Sequence, residues 1–208
     1  MGVAKDERAA LSDLFDAVGP DAPTLCAGWA TRDLAAHLVV RERRPDAAAG
    51  VLLKPLAGYL ENVQNGYAAK PWPALVDQVR GGPPALSPFS LPVVDELANT
   101  AEFFVHHEDV RRAAPDWAPR PADPVRDDAL WKAVTRSARL MFRKSPVGVL
   151  LRTPDERSTY AKRGPDTVEI VGEPGELLLY AFGRDAAHVE FDGDQRAVAA
   201  VRGVSRGL

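Results

Sequence analysis

The chain has 208 residues, 46% hydrophobic and 26% charged, with a formal net charge of -3. That length suits one substantial domain or two small ones, and the composition is ordinary for a soluble globular protein. The slightly acidic balance excludes a basic nucleic-acid footprint, the single cysteine Cys26 excludes an intrachain disulfide, and no run approaches the roughly 20 apolar residues of a membrane span. The first eight residues lack the apolar core of a signal peptide, and a lone cysteine suits a reducing compartment, so a cytoplasmic protein without nucleic-acid or membrane partners is expected.

Leu11, Leu14, Phe15 and Val18 recur at i, i+3, i+4 and i+7 and predict an amphipathic helix over 5–18, stopped by Gly19-Pro20-Asp21-Ala22-Pro23. Thr31 is the predicted N-cap of a second helix, which carries Leu34, His37 and Leu38 and ends before Pro45. Residues 46–92 are mixed, with helical pieces over 52–63 and 74–80 and breaks at Pro55, Gly66 and Gly81-Gly82-Pro83-Pro84. Connections of that length often form lids or pocket walls. A third helix over 92–113 opens on Pro92, with Val94, Leu97, Ala101, Phe104 and Val105 as its apolar stripe. A loop containing Pro115, Pro119, Pro121 and Pro124 leads to a fourth, in which Leu130, Val134, Ala138 and Met141 are spaced for burial. Four helices with one long connection predict a four-helix bundle over 1–144, whose core can host a metal site.

After Ser145-Pro146 the pattern changes. Residues 147–151 read as a short strand, 167–171 alternate with period two, 176–182 read as a short helix ended by Gly183, and 187–191 alternate again before Asp192-Gly193. Residues 145–208 are therefore expected to form a small α+β unit of about 60 residues, marginal alone and packed on the bundle. The predicted fold class is mainly α.

Glu102 and His106 stand four residues apart on the third helix, on nearly one face and about one 5.4 Å turn apart. Such a pair can reach one divalent ion. A third ligand from a facing helix, His37, would close three corners of a tetrahedron and leave the fourth for water or substrate, the pattern of catalytic zinc. From the residues alone, blander readings stay open. His37 between Leu34 and Leu38 also suits half-buried packing, and Glu102 on an apolar face needs a partner that either a cation or an arginine supplies. His107, rotated about 100° from His106, is expected at the surface or behind the ligands. Asp109 and Asp33 are placed to orient the imidazoles of His106 and His37. Arg41, one turn beyond His37, either receives an anionic substrate group or joins Arg43 and Arg44 in a solvated helix end. Cys26 reads as a small buried residue rather than a nucleophile, and His188 as structural. Metal-binding cysteine pairs, glycine-rich phosphate loops, the His-Glu-x-x-His pattern and the nucleophile elbow are all absent from the sequence.

Cys26-Ala27-Gly28-Trp29, then Asp33-Leu34-Ala35-Ala36-His37-Leu38, then Glu102 to His106 and on through Asp109-Val110-Arg111-Arg112-Ala113, resembles the mycothiol-dependent maleylpyruvate isomerase family. That family belongs to the DinB/YfiT-like superfamily of metal-binding four-helix bundles, and the likeness is strongest to an actinobacterial branch described only as metal-binding. Residues 172–184 resemble the C-terminal domain that often accompanies the bundle and is loosely like sterol carrier proteins. The resemblance implies a divalent metal, usually zinc, held by His37, Glu102 and His106, with water or a thiol cofactor at the open position. It further implies an enzyme that uses a low-molecular-weight thiol, mycothiol, on a small-molecule electrophile, as an S-transferase or isomerase, with Arg41 holding a substrate carboxylate. Two alternatives accompany it: a metal-dependent hydrolase of the same fold, and a non-catalytic protein binding a metal or an apolar ligand.

Overall fold

Helix α1 (Val3–Val18) turns Leu11 and Phe15 fully inward, and its first turn is capped from a distance by Glu96, whose carboxylate accepts from the Val3 and Ala4 amides at 3.0 and 3.2 Å. The structure is a computed structural model, and it describes residues 2–48, 54–85 and 87–206. Its chain divides into two compact units, Met1–Ala118 and Pro119–Leu208.

In the first unit α1 is followed by α2 (Thr31–Arg43), the short α3 (Pro45–Ala48), a 3-10 turn Lys54–Leu56, α4 (Ala57–Ala68), α5 (Trp72–Arg80), a 3-10 turn Pro88–Ser90 and α6 (Pro92–Arg111). α1 lies along α5 and α6, and α2 along α4 and α5. Their shared core contains Leu11, Phe15, Leu34, Leu38, Leu75 and Phe103. α4 runs through Gly66, where the sequence suggested a break, because a single glycine lowers helix propensity without removing a backbone donor. Residues 52 and 53, placed in that helix from the sequence, lie outside the described residues.

Helix α6 is the axis of this unit. Every residue from Phe103 to Val110 is buried, while the expected stripe residue Leu97, near its start, is 53% exposed. A helix enclosed on all sides must satisfy its polar side chains internally. His107, expected at the surface or behind the ligands, is buried against α1, with Nδ1 3.0 Å from Glu7. Arg112 meets Glu108 at 2.6 Å and stacks over Trp117. A second buried polar group joins α1, α2 and α6. Arg8 forms a two-pronged pair with Glu42 at 2.6 and 2.7 Å, and Asn99 donates to Glu42 and Asp95 at 2.8 and 2.6 Å.

The second unit opens with α7 (Pro124–Met141), capped by Asp123 and burying Leu130, Val134, Ala138 and Met141 as the spacing predicted. It continues with β1 (Val149–Arg152), β2 (Ser158–Lys162), β3 (Val168–Val171), α8 (Pro174–Ala181), β4 (Glu190–Asp192) and α9 (Gln195–Arg202). The sheet order is β2-β1-β3-β4, with β1 parallel to β3 and both outer pairs antiparallel. The helix expected as the fourth of a bundle over 1–144 packs within this unit, against α8 and β2. Gly148 lets the segments before β1 and β3 close up: a Cβ there would stand 2.2 Å from Thr167 Oγ1 and 2.9 Å from the Gly164 carbonyl. His188, expected inside a strand, precedes β4, and its amide donates to Glu176 at 2.7 Å. The fold is mainly α with a small C-terminal α+β part, as expected. None of the described helices is long and apolar enough to cross a membrane.

Candidate metal centre

α2 carries His37 and Arg41 on one face, one turn apart, and α6 carries Asn99, Glu102, His106 and Asp109 toward them. The two helices bring His37, Glu102 and His106 together. Glu102 Oε1 lies 3.1 Å from His37 Nε2 and 3.4 Å from His106 Nε2, and the candidate ligand atoms all fall within 4.8 Å of one another. A tetrahedral ion with nitrogen and oxygen bonds of about 2.0–2.2 Å spaces its ligand atoms by roughly 3.3–3.5 Å. The donor chemistry and the spacing both fit a divalent cation. The His37 and Glu102 side chains are each 21% exposed, so the cluster opens toward solvent on one side.

Glu102 is also next to Arg41, whose Nε stands 3.4 Å from Oε1. Both partners that a half-buried carboxylate on this apolar face calls for are therefore at hand, imidazoles and a guanidinium. Burial opposes the charge on Glu102, but hydrogen bonds from His106 and His37 and the Arg41 charge outweigh it and hold the carboxyl well below the usual carboxylate range. Burial likewise opposes charge on His106, yet Asp109, the Cys26 sulfur and Glu102 hold its imidazolium well above the usual histidine range.

Behind these side chains stands a supporting layer. Asp109, completely buried, places Oδ2 2.9 Å from His106 Nδ1, which leaves Nε2 facing Glu102. Gln64 of α4 meets His37 Nδ1 at 3.3 Å. Arg41 is held by the Ala98 carbonyl at 3.1 Å, by a short hydrogen bond to Asn99 Oδ1 and by the face of Phe89. Asn99 gives both amide hydrogens to Glu42 and Asp95, so its carbonyl must face Arg41. Arg43 points elsewhere, to the Gln78 and Gly82 carbonyls, and Arg44 pairs with Asp46 at the surface.

Two sequence expectations change. Asp33 does not reach His37: it accepts from the Ala30 amide at 2.9 Å and caps α2, with Ala30 rather than Thr31 at the cap position. Cys26 is half-buried and its thiol donates to Asp109 Oδ2 at 3.2 Å, with Sγ 3.9 Å from His106 Nδ1. Its loop is fastened by the Leu25 amide to the Asp109 carbonyl at 3.0 Å, by Thr24 to the Cys26 and Trp29 carbonyls, and by a left-handed Gly28. Cys26 and Asp109 address the same ring nitrogen, so this is not a nucleophile–base–carboxylate relay, which needs both imidazole nitrogens. Gln64 and Asn99 join the site without a sequence signal of their own. Gln64 falls in the irregular middle region, and Asn99 was hidden among residues taken for an apolar stripe.

No protein-family model matches the chain, and no curated protein matches it in sequence. Among solved structures it is similar in fold to a crystal structure of the mycothiol-dependent maleylpyruvate isomerase, at a TM-score of 0.60 and 16% sequence identity, over 91% of this chain and 90% of that one. At that identity the likeness is one of fold.

Proposed function

We propose that His37, Glu102 and His106 hold a divalent metal, with zinc as the best match to two imidazoles and a carboxylate, in an enzyme that uses a low-molecular-weight thiol. The observation that carries the metal is the carboxylate oxygen between two imidazole Nε2 atoms, at 3.1 and 3.4 Å, on the solvent-open side of an otherwise enclosed helix. The fold of the neighbouring mycothiol-dependent isomerase supports the thiol. When bound, the cation would supply stabilisation of a thiolate at neutral pH.

The chain's own residues do the rest. Asp109 keeps the His106 ring turned so that Nε2 faces the site. Gln64 does the same for His37: its amide nitrogen lies 3.3 Å from Nδ1, and when Nε2 is a ligand Nδ1 must carry the proton, so the Gln64 amide turns over to accept it with its oxygen. Arg41, fixed by Asn99 and Ala98 beside Glu102, is the group that would receive a substrate carboxylate. The reaction class is addition of a thiol to an electrophilic carbon, ending there in an S-transferase or followed by rotation and elimination in an isomerase. The partners are thus a small electrophile and a mycothiol-type thiol. The test is direct: zinc-loaded protein is offered electrophile with and without mycothiol. Thiol-dependent consumption is the expected result, and turnover of ester or amide substrates without thiol would instead mark a hydrolase.

A further inference from the structure

We propose that this chain has a second, alternative metal-ligand set on the other side of His106, made of Cys26 Sγ, His106 Nδ1 and Asp109 Oδ2, and selective for thiophilic divalent ions such as cadmium. The three ligand atoms are 3.2, 3.9 and 2.9 Å apart, all within the 4.8 Å that one ion can span. Zinc, with a sulfur bond of about 2.3 Å and nitrogen and oxygen bonds of about 2.0–2.2 Å, spaces such atoms by roughly 3.3–3.6 Å in a tetrahedron, and a larger soft ion needs them somewhat farther apart. Each observed separation is within about half an ångström of that range, so small side-chain movements close the set.

Charge and softness separate this set from the first. Cys26 as thiolate and Asp109 as carboxylate neutralise a divalent ion fully, which matters because Asp109 is completely buried and His106 nearly so. The His37–Glu102–His106 set leaves one positive charge, next to the Arg41 guanidinium. Only the second set offers sulfur, the donor that soft metals select. Entry is from the Cys26 loop, where Ala27 and Gly28 are exposed.

The two sets exclude each other. An ion on Nδ1 displaces the Cys26 thiol proton and any proton on Nδ1 to solvent, and leaves neutral His106 with its proton on Nε2. There Glu102 Oε1, 3.4 Å away, accepts it. A neutral imidazole ligates through one nitrogen at a time, so His106 then no longer serves the first set. This exclusivity, unlike the second set itself, rests on the proposed His37–Glu102–His106 site.

The test is a cadmium chloride titration of the full-length, metal-free protein, following thiolate-to-cadmium ultraviolet absorption, with equilibrium dialysis for stoichiometry. The expected result is thiolate absorption saturating at one ion per chain, in the wild type and equally in His37→Ala. Cys26→Ser should lose the absorption and bind cadmium at least tenfold more weakly. Absence of thiolate absorption in the wild type, equal affinity in Cys26→Ser, or two ions per chain would each overturn the proposal, and the wild-type arm needs no variant to fold. Zinc binding by Cys26→Ser reads the first set alone, so a failure of the His37 site shows there and not in the cadmium arm.

Discussion

Asp109 stands directly behind His106, its Oδ2 2.9 Å from Nδ1, on the ring nitrogen that faces away from Glu102. A carboxylate so placed fixes the tautomer and raises the basicity of the opposite nitrogen. Asp109→Asn should therefore weaken zinc binding by about 10–100-fold, the usual effect of losing such a partner. His37→Ala and His106→Ala should lose more, and the double variant should bind no zinc by elemental analysis after dialysis. Unchanged metal content in the double variant would refute the site.

The raised His106 pKa sets the pH dependence. In the metal-free protein the group holds a proton to above its ordinary value near 6.5, and that proton must leave before Nε2 can ligate. Zinc binding should thus release a proton, and apparent affinity should fall about tenfold per pH unit once pH is below the His106 pKa. Glu102, held low, does not compete for protons in that window. The sign for stability is opposite. A raised pKa contributes stability that is complete below the unfolded value and is lost as pH rises through the folded one. Calorimetric zinc titrations in buffers of different ionisation enthalpy measure the proton release.

Arg41 should have two effects of opposite sign. Its Nε, 3.4 Å from Glu102 Oε1, repels a cation at the site, while its remaining N–H donors suit a carboxylate. Arg41→Gln is expected to raise zinc affinity by roughly three- to tenfold, a modest figure because the side chain is partly solvated. In zinc-loaded protein the same change should weaken binding of a small dicarboxylate. A parallel loss of both affinities would point to misfolding instead and would count against the assigned role.

Stability should depend on the Arg8–Glu42 pair, whose side chains are 6% and 3% exposed. Glu42→Ala leaves the buried Arg8 guanidinium with only its 3.2 Å contact to Asp95 and the Val79 carbonyl, takes an acceptor from Asn99, and should cost about 3 kcal/mol, the low end for breaking a buried pair. The double variant Arg8→Met, Glu42→Met should lose much less than that. Denaturant midpoints at constant slope provide the comparison.

Gly148→Ala should destabilise the second unit by about 1–3 kcal/mol, since the added methyl meets the Thr167 side chain and the Gly164 backbone. Gly164 cannot move without shifting the turn that precedes β3. Amide exchange in β1 and β3 would report the loosening, and protection equal to wild type would contradict the tight approach.

Long periodic helices were the most legible part of the fold. α1, α2 and α7 follow their apolar spacing closely, and α6 begins at Pro92 as predicted. β2 and α9 carry little periodic signal, for physical reasons. Ser158-Thr159-Tyr160-Ala161-Lys162 is a polar edge strand with only Ala161 buried, and Gln195–Arg202 buries just Ala197 and Val201. The site was legible where spacing within one helix carries it, as for Glu102 and His106. It was hidden where contact depends on folding: Gln64 approaches from α4, Cys26 from a loop, and Glu7 draws His107 inward from α1.

Asn99 has an evolutionary consequence. Its amide must meet carboxylates on one side and Arg41 on the other, so positions 8, 41, 42, 95 and 99 form a single donor–acceptor sentence running from α1 to the edge of the metal site. A change at Arg8, which touches neither imidazole, alters what Glu42 can accept and hence how Asn99 presents its carbonyl. Related sequences should therefore alter these five positions together, and a lineage that trades Asn99 for another side chain should show the exchange first at Glu42 or Asp95.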